Sequence, residues 1–305
     1  MGAGRRNGRP SRRGDAVLVS GCSSGIGRAC PLALGWQGFS VFAGVRTAAQ
    51  AEAIARESID NLTPVNLDVT DERSIRAVAE EIAGHVGDSG LWGLVNNAGI
   101  TVIGPLELVP IDELRRQLEV NVVGQVAVTQ AFLPLIRKGE AGRIVNMGSV
   151  TGRVSFPFAG PYSSSKSALA ALTDSLRVEL RPWGISVSLV EAGNVRTPIW
   201  EKHLQSVHEL LARLSPGERA LYEKALAADM KMVRRISEGG SPAAGVAEAV
   251  VHALTVPSPK SRYLVGEGAR PLAWITKYLP DGLRDLLVSR FMGLTSQSRS
   301  RWRPS

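Results

Sequence analysis

The stretch "AVLVSGCSSGIGRAC", residues 16–30, most limits what this chain can fold into. A short apolar run passes through three glycines and enters a helix-forming segment at once. Residues 16–20 read as a buried strand, and a helix is expected from about Gly25 to Gln37. A strand that turns through glycines straight into a helix opens a βαβ unit. Each glycine has its own reason to be there. Gly21 permits a sharp turn, Gly25 lets backbone approach a pyrophosphate, and Gly27 lets the helix pack close to the strand. The helix N-terminus adds unpaired N–H groups and a positive dipole end. The spacing is Gly-x-x-x-Gly-x-Gly rather than Gly-x-Gly-x-x-Gly, so the loop needs support from the rest of the chain.

The rest of the chain keeps the same rhythm. Strands are expected at residues 39–46, 62–67, 91–95, 142–148, 185–192 and 262–266. Helices are expected at residues 48–58, 71–86, 111–137 (with a break near Gly124), 160–180 and 243–254. This alternation predicts an α/β fold, a doubly wound parallel sheet with helices on both faces. Residues 15–268 then form a single Rossmann-type domain. Residues 198–238 interrupt the rhythm with two charged helices beyond the carboxyl end of a strand, where open α/β sheets bind ligands. A plain surface hairpin is the other reading of that insertion. Pro31, in the second turn of the first helix, predicts a kink or a local cost.

Charge and cysteine usage exclude several classes. The net charge of +8 gathers at the ends: Arg5, Arg6, Arg9, Arg12 and Arg13 at one, Arg299, Arg301 and Arg303 at the other. Residues 1–14 and the last residues read as disordered, solvated basic tails. No folded segment interleaves basic residues with aromatics, so no nucleic-acid partner is expected. Cys22 and Cys30 make no disulfide framework and read as reduced thiols of a cytoplasmic protein. No run of 18 apolar residues and no signal-peptide core is visible, so no spanning helix is expected, nor any metal site.

Chemistry-bearing residues sit at the strand ends. Asp68, in "LDVTD", can accept from an exocyclic amine, or simply cap a helix. "NNAGI" brings the amides of Asn96 and Asn97 beside the small residues Ala98 and Gly99. In "GPYSSSKSALAALTDSLRVEL" Leu169, Leu172, Leu176 and Leu180 form an apolar stripe. Tyr162 and Lys166 lie four residues apart on that helix, so both can reach one point.

Taken together, the glycine loop, Asn-Asn-Ala-Gly, Ser149 after the fifth strand and Tyr-x-x-x-Lys resemble the short-chain dehydrogenase/reductase superfamily in order and spacing. The resemblance covers roughly residues 15–266. "VFAGVR", "ELRRQLEVNVVGQVAVTQAFLPLIR" and "RPWGISVSLVEAGNVRTPIW" look most like its retinol dehydrogenase and 17β-hydroxysteroid dehydrogenase branch. The resemblance implies an enzyme acting on CH–OH groups, with an apolar alcohol or ketone as substrate and a homodimer or homotetramer as assembly. A carrier-protein ketoreductase is the runner-up, and a cofactor-binding protein without turnover the alternative of another class.

Within that resemblance, Asn121, Ser149, Tyr162 and Lys166 are the catalytic set. Tyr162 would exchange a proton with substrate, helped by a Lys166 charge that lowers its pKa. Ser149 would hold the substrate oxygen, and Asn121 would complete a proton relay. The cofactor set is Gly21, Ser23, Ser24, Gly25, Ile26, Gly27, Arg46, Asp68, Val69, Asn97, Ala98, Gly99, Tyr162, Lys166, Val195 and Thr197. Val45 stands where an NAD-preferring relative carries an acid, and Arg46 follows. That favours NADP(H), with NAD(H) as the other option. Ala192–Gly193 replaces the usual Pro-Gly, which is expected to loosen a turn at the nicotinamide.

Residues 270–294 read as two amphipathic helices broken at residues 280–282. Leu272, Trp274, Ile275 and Tyr278 share one face, and Leu283, Leu286, Leu287 and Phe291 repeat it. Such a face calls for cover. The parent domain or a second subunit is the first expectation. Peripheral contact with a membrane, through Arg270, Lys277, Arg284 and Arg290, is the second.

Overall fold

Seven parallel strands form one sheet in the order β3-β2-β1-β4-β5-β6-β7. They are β1 (Ala16–Val19), β2 (Ser40–Val45), β3 (Leu62–Asn66), β4 (Gly93–Asn96), β5 (Arg143–Ser149), β6 (Ser186–Ala192) and β7 (Arg262–Val265). This computed structural model describes residues 15–139, 141–292 and 294. The basic tails expected at both ends lie outside the described residues.

Val17, Leu18 and Val19 are fully buried, as expected for a central parallel strand covered on both faces. On one side Val17 and Val19 pack against α1 (Gly25–Trp36) and α9 (Ala243–Thr255), through Leu34, Val246 and Val250. On the other, Leu18 and Leu94 meet Ile82 of α3 (Glu72–Val86) and Phe132 and Ile136 of α5 (Gly124–Lys138). The short α2 (Ala48–Ala55) links β2 to β3 and is capped by Thr47, whose hydroxyl accepts from the Gln50 N–H. β1 lies between β2 and β4, so strand order reverses there and a cleft opens beyond the strands' carboxyl ends.

Two expectations change at this level. The helical stretch is not broken at Gly124. It runs from α4 (Ile111–Leu118) through a wide π turn at Glu119–Val123 directly into α5. Such bulges concentrate at functional sites. Gly124 is needed there, because a Cβ would lie 2.6 Å from the Val69 carbonyl oxygen. Second, the span Ile111–Lys138 is long and apolar enough, by length and composition, to cross a membrane. Here Val128, Phe132 and Ile136 are spent on the core. α1 itself continues through Pro31, whose ring is buried.

An ionic cluster ties four elements together. The Glu191 side chain of β6 is 1% exposed and receives Nε and Nη2 of Arg153, each at 2.6 Å. Arg262 of β7 donates to the same carboxylate at 3.2 Å and also bonds Asp174 of α6 (Gly160–Glu179). A buried carboxylate is tolerated only when its lone pairs are met, as they are here.

The 198–238 insertion is a helical hairpin of α7 (Ile199–Arg213) and α8 (Pro216–Gly239). α8 starts in a capping box, with Ser215 and Glu218 satisfying each other's backbone N–H. Val207, Ala225 and Leu226 form a separate small core with Ile103, Phe158 and Met292. Phe158 itself sits at φ 68°, a conformation side chains rarely adopt.

α10 (Ala269–Tyr278) and α11 (Asp281–Phe291) follow, with the break at Leu279–Pro280. Ala269, Ala273 and Met292 are buried, but Trp274, Tyr278, Leu283, Leu286 and Leu287 remain exposed. The parent domain therefore covers only the edge of this face.

Candidate active site

The cleft at the strand reversal deepens into a cavity of about 1350 Å³. One end is built by the glycine loop. Gly21 and Gly25 have φ of 71° and 56°, which glycine adopts without strain. Space is equally decisive. A Cβ on Gly27 would lie 2.0 Å from the Gly21 carbonyl oxygen, and one on Gly21 would lie 2.7 Å from the Ala98 Cα. Ser20 locks the arrangement: its hydroxyl accepts from the backbone N–H of Asn97 and of Ala98, each at 3.0 Å. The Asn97 amide donates back to the carbonyls of Ser20 and Gly21. Ser24 is the N-cap of α1 but makes no side-chain cap bond, so the first-turn amides stay available. These residues fit a pyrophosphate: N–H groups without a side-chain cap stand at a helix start on the cavity wall.

Ser23, Ser24, Ile26, Arg46, Asp68, Val69, Asn97, Ala98, Gly99, Val195 and Thr197 all line the same cavity. Asp68 Oδ1 accepts from the backbone and hydroxyl of Thr70, at 2.9 and 2.8 Å. Val45 is buried at the end of β2, and Arg46 beside it is exposed. The turn after β6, where Ala192 stands at the expected proline position, is held by backbone hydrogen bonds. Gly193 N–H donates to Val265 at 2.8 Å and Asn194 N–H to Glu267 at 2.9 Å. A Cβ at Gly193 would lie 2.3 Å from the Glu267 carbonyl oxygen, so this position has room only for glycine.

The opposite wall carries Ser149, Tyr162 and Lys166. Lys166 Nζ lies 5.7 Å from the centroid of the Tyr162 ring and donates to the Met147 carbonyl at 2.7 Å. Ser149 Oγ accepts from Thr151 N–H and hydroxyl, at 3.2 and 2.9 Å. Burial pushes the Tyr162 phenol up, and a hydrogen bond with Ser149 opposes this. In the protein alone the phenol is therefore raised, not lowered as expected beside Lys166, because burial disfavours the charged phenolate. Burial also lowers Lys166 to about 8.

Asn121 does not line the cavity. It sits in the π turn, fully buried, with both ends of its amide engaged. Oδ1 accepts from Ile100 N–H at 2.9 Å, while Nδ2 donates to Ile100 O and to Ser165 Oγ, each at 3.1 Å.

Sequence reasoning missed the inner face of the α7–α8 hairpin. His203 of α7 and Asp229 of α8 both line the cavity, and His203 Nε2 meets Asp229 Oδ2 at 2.7 Å. Helical spacing puts each on its helix's inner side, but nothing in the sequence pairs them.

The short chain dehydrogenase family model matches residues 15–207. The chain belongs to the short-chain dehydrogenase/reductase superfamily, and it is an oxidoreductase acting on CH–OH groups. It is 38% identical to retinol dehydrogenase 5 of Homo sapiens over 90% of this chain and 87% of that one. It is 37% identical to 17-beta-hydroxysteroid dehydrogenase type 6 of Homo sapiens, with the same shares covered. Its place is in that retinol and steroid dehydrogenase branch. A bacterial relative, 3-amino-tetrahydro-pyrrolizinone reductase of Xenorhabdus hominickii, is 37% identical over 87% of this chain and 91% of its own. Among solved structures, a short-chain dehydrogenase from Streptomyces avermitilis superposes with a TM-score of 0.72 at 28% identity. It covers 94% of this chain and 100% of its own.

The lowered Lys166 has a measurable sign. Its folded value of about 8 lies below the ordinary 10.5 of an unfolded lysine. Between these values the unfolded chain binds more protons, so the cost of burying the ammonium is relieved as pH rises. Thermal melts of the cofactor-free protein and of Lys166→Met should therefore shift relative to each other, wild type gaining on the variant between pH 7 and pH 10. A constant difference across that range would show that Lys166 is not held at a depressed value.

Proposed function

We propose that the protein interconverts an alcohol and its carbonyl compound on an apolar substrate, with NADP(H) as cofactor. One observation carries this reading: Ser149, Tyr162 and Lys166 line the same cavity into which the glycine loop opens. The bound nicotinamide would supply or accept the hydride. The chain's own groups would do the rest. Tyr162 gives its hydroxyl proton to the carbonyl oxygen in reduction and recovers it in oxidation. A phenol that burial keeps protonated suits the donating role. Ser149 Oγ holds the same oxygen. The Lys166 ammonium stabilises the phenolate left behind and binds the cofactor's ribose. Asn121, its side chain committed to Ile100 and Ser165, serves the proton relay by shaping the wide turn and the loop at Ile100.

The remaining cofactor residues divide by chemistry. The 21–27 loop holds the pyrophosphate, Asp68 and Val69 the adenine, and Asn97–Gly99, Val195 and Thr197 the nicotinamide end. Arg46 meets the 2′-phosphate, where Val45 leaves no carboxylate to repel it. An apolar substrate is supported by Phe156, Ile199, Trp200, Met232 and Leu272 on the cavity wall. The names of the retinol and steroid dehydrogenase relatives agree with it.

Tyr162→Phe should keep the fold and cofactor binding while activity falls by about 10²–10⁴-fold. Turnover within a few-fold of wild type would end the proton-transfer assignment. Val45→Asp with Arg46→Leu should move preference from NADPH towards NADH, read as the ratio of the two kcat/KM values. A wild type already faster with NADH at equal concentration contradicts the cofactor assignment.

For the uncovered face of α10 and α11 we infer a membrane surface. Trp274 and Tyr278 are exposed with their rings 5.2 Å apart, a pair suited to the headgroup region, and Arg270 and Arg290 are exposed on the same two helices. Full-length protein should sediment with anionic vesicles at low salt and release at high salt. Failure to sediment, with a stable dimer in solution, assigns the face to a second subunit instead.

A further inference from the structure

The His203–Asp229 pair has no part in the chemistry above, yet it is costly. His203 is 6% exposed and Asp229 is 2% exposed, and both lie against an otherwise apolar seam. Leu226 and Val233 on the same helix as Asp229, and Val207 one turn beyond His203, are almost fully buried. Replacing such a pair with hydrophobic residues is often neutral or stabilising, so stability alone does not account for it.

The atoms indicate a different use. Asp229 engages Nε2 of His203. That leaves Nδ1, which has no hydrogen-bond partner among the described residues and is not one of the fully enclosed unpaired polar atoms. Because His203 lines the cavity, the small accessible part of its ring opens there. Asp229 therefore holds the ring in place and fixes which nitrogen is free. Trp200 strengthens the placement: its ring lies 6.4 Å from that of His203, and its Nε1 is tied to the Val195 carbonyl at 2.7 Å.

We infer that His203 Nδ1 is a second polar contact for substrate, recognising a hydroxyl group remote from the carbon that reacts. A hydroxyl is the matching group because it both donates and accepts. It can donate to the lone pair of a neutral imidazole and accept from an imidazolium N–H. A ketone or ether oxygen serves only the second. The preferred substrates are then apolar molecules with oxygen at two positions: one at Ser149 and Tyr162, and a hydroxyl at His203. This rests on the alcohol–carbonyl reading of the site and narrows its substrate class.

The test uses two 17-ketosteroids, one with a 3-hydroxyl and its 3-deoxy counterpart. Affinity is read from quenching of the cavity tryptophan in the NADP⁺-loaded protein, and turnover is read separately with NADPH. Wild type should bind the hydroxylated ketone roughly ten- to hundredfold more tightly, the range of a hydrogen bond made or left unmade in a buried site. In His203→Phe and His203→Gln the ratio should fall towards one for Phe and be partly retained for Gln. Circular dichroism and NADPH binding would establish that both variants are folded. Equal loss for both ligands makes the pair a structural clasp and overturns the inference, as does an unchanged ratio or wild type that binds neither. Preferential binding without turnover would instead refute the proposed reaction and leave the contact standing.

Discussion

Between the end of β1 and the end of β4 there is no room for a methyl group. The Gly27 position meets the Gly21 carbonyl and the Asn97 amide, and the Gly21 position meets the Ala98 backbone. This closeness lets the Ser20 hydroxyl take two backbone amides from the neighbouring strand's turn. The first βα turn is thereby fixed before any ligand arrives. Preorganisation of this kind removes ordering cost from binding. It also sets the position of everything further along the cleft, since Asn97–Gly99 lead to Ile100. Ile100 in turn holds Asn121 and Gln117 through backbone hydrogen bonds.

Much of this was legible in the sequence because it rests on local rules. Apolar runs that end in glycine, a four-residue Tyr–Lys spacing and a stripe of leucines each report on one element. Their order then gives the parallel sheet. What the sequence did not disclose is non-local. Phe158 at positive φ, the Glu191 cluster and the His203–Asp229 contact join residues 26 to 88 positions apart or depend on a loop's exact path. The bonds that hold the turn at Gly193 are non-local too: they come from Val265 and Glu267, which lie far along the chain and not in the turn itself. The cover of α10 and α11 was also beyond local reading, because periodicity identifies an apolar face but not what meets it.

Lys166 illustrates how function and stability diverge in one helix. It is 6% exposed, donates to the Met147 carbonyl and faces the Tyr162 ring. An ammonium so placed has lost most of its hydration, and burial accordingly favours its neutral form. The surrounding helix offsets this through ordinary packing: Leu169 is buried, and Thr173 bonds both Leu169 O and the Asn146 amide. The reactive wall is thus a strained tenant of a well-packed helix.

The Glu191 cluster also joins the sheet's edge to the reactive wall. Arg153 follows Ser149 by four residues, and Arg262 begins the last strand. Both grip one carboxylate inside the sheet, and Arg262 reaches on to Asp174 in the helix that carries Tyr162 and Lys166. These bonds connect β7, to which α10 and α11 are attached, to the Ser149 loop and to the C-terminal third of α6. The sheet's edge strand is therefore cross-linked by side chains both to the Ser149 loop and to the helix that carries Tyr162 and Lys166, so these three parts form one braced unit.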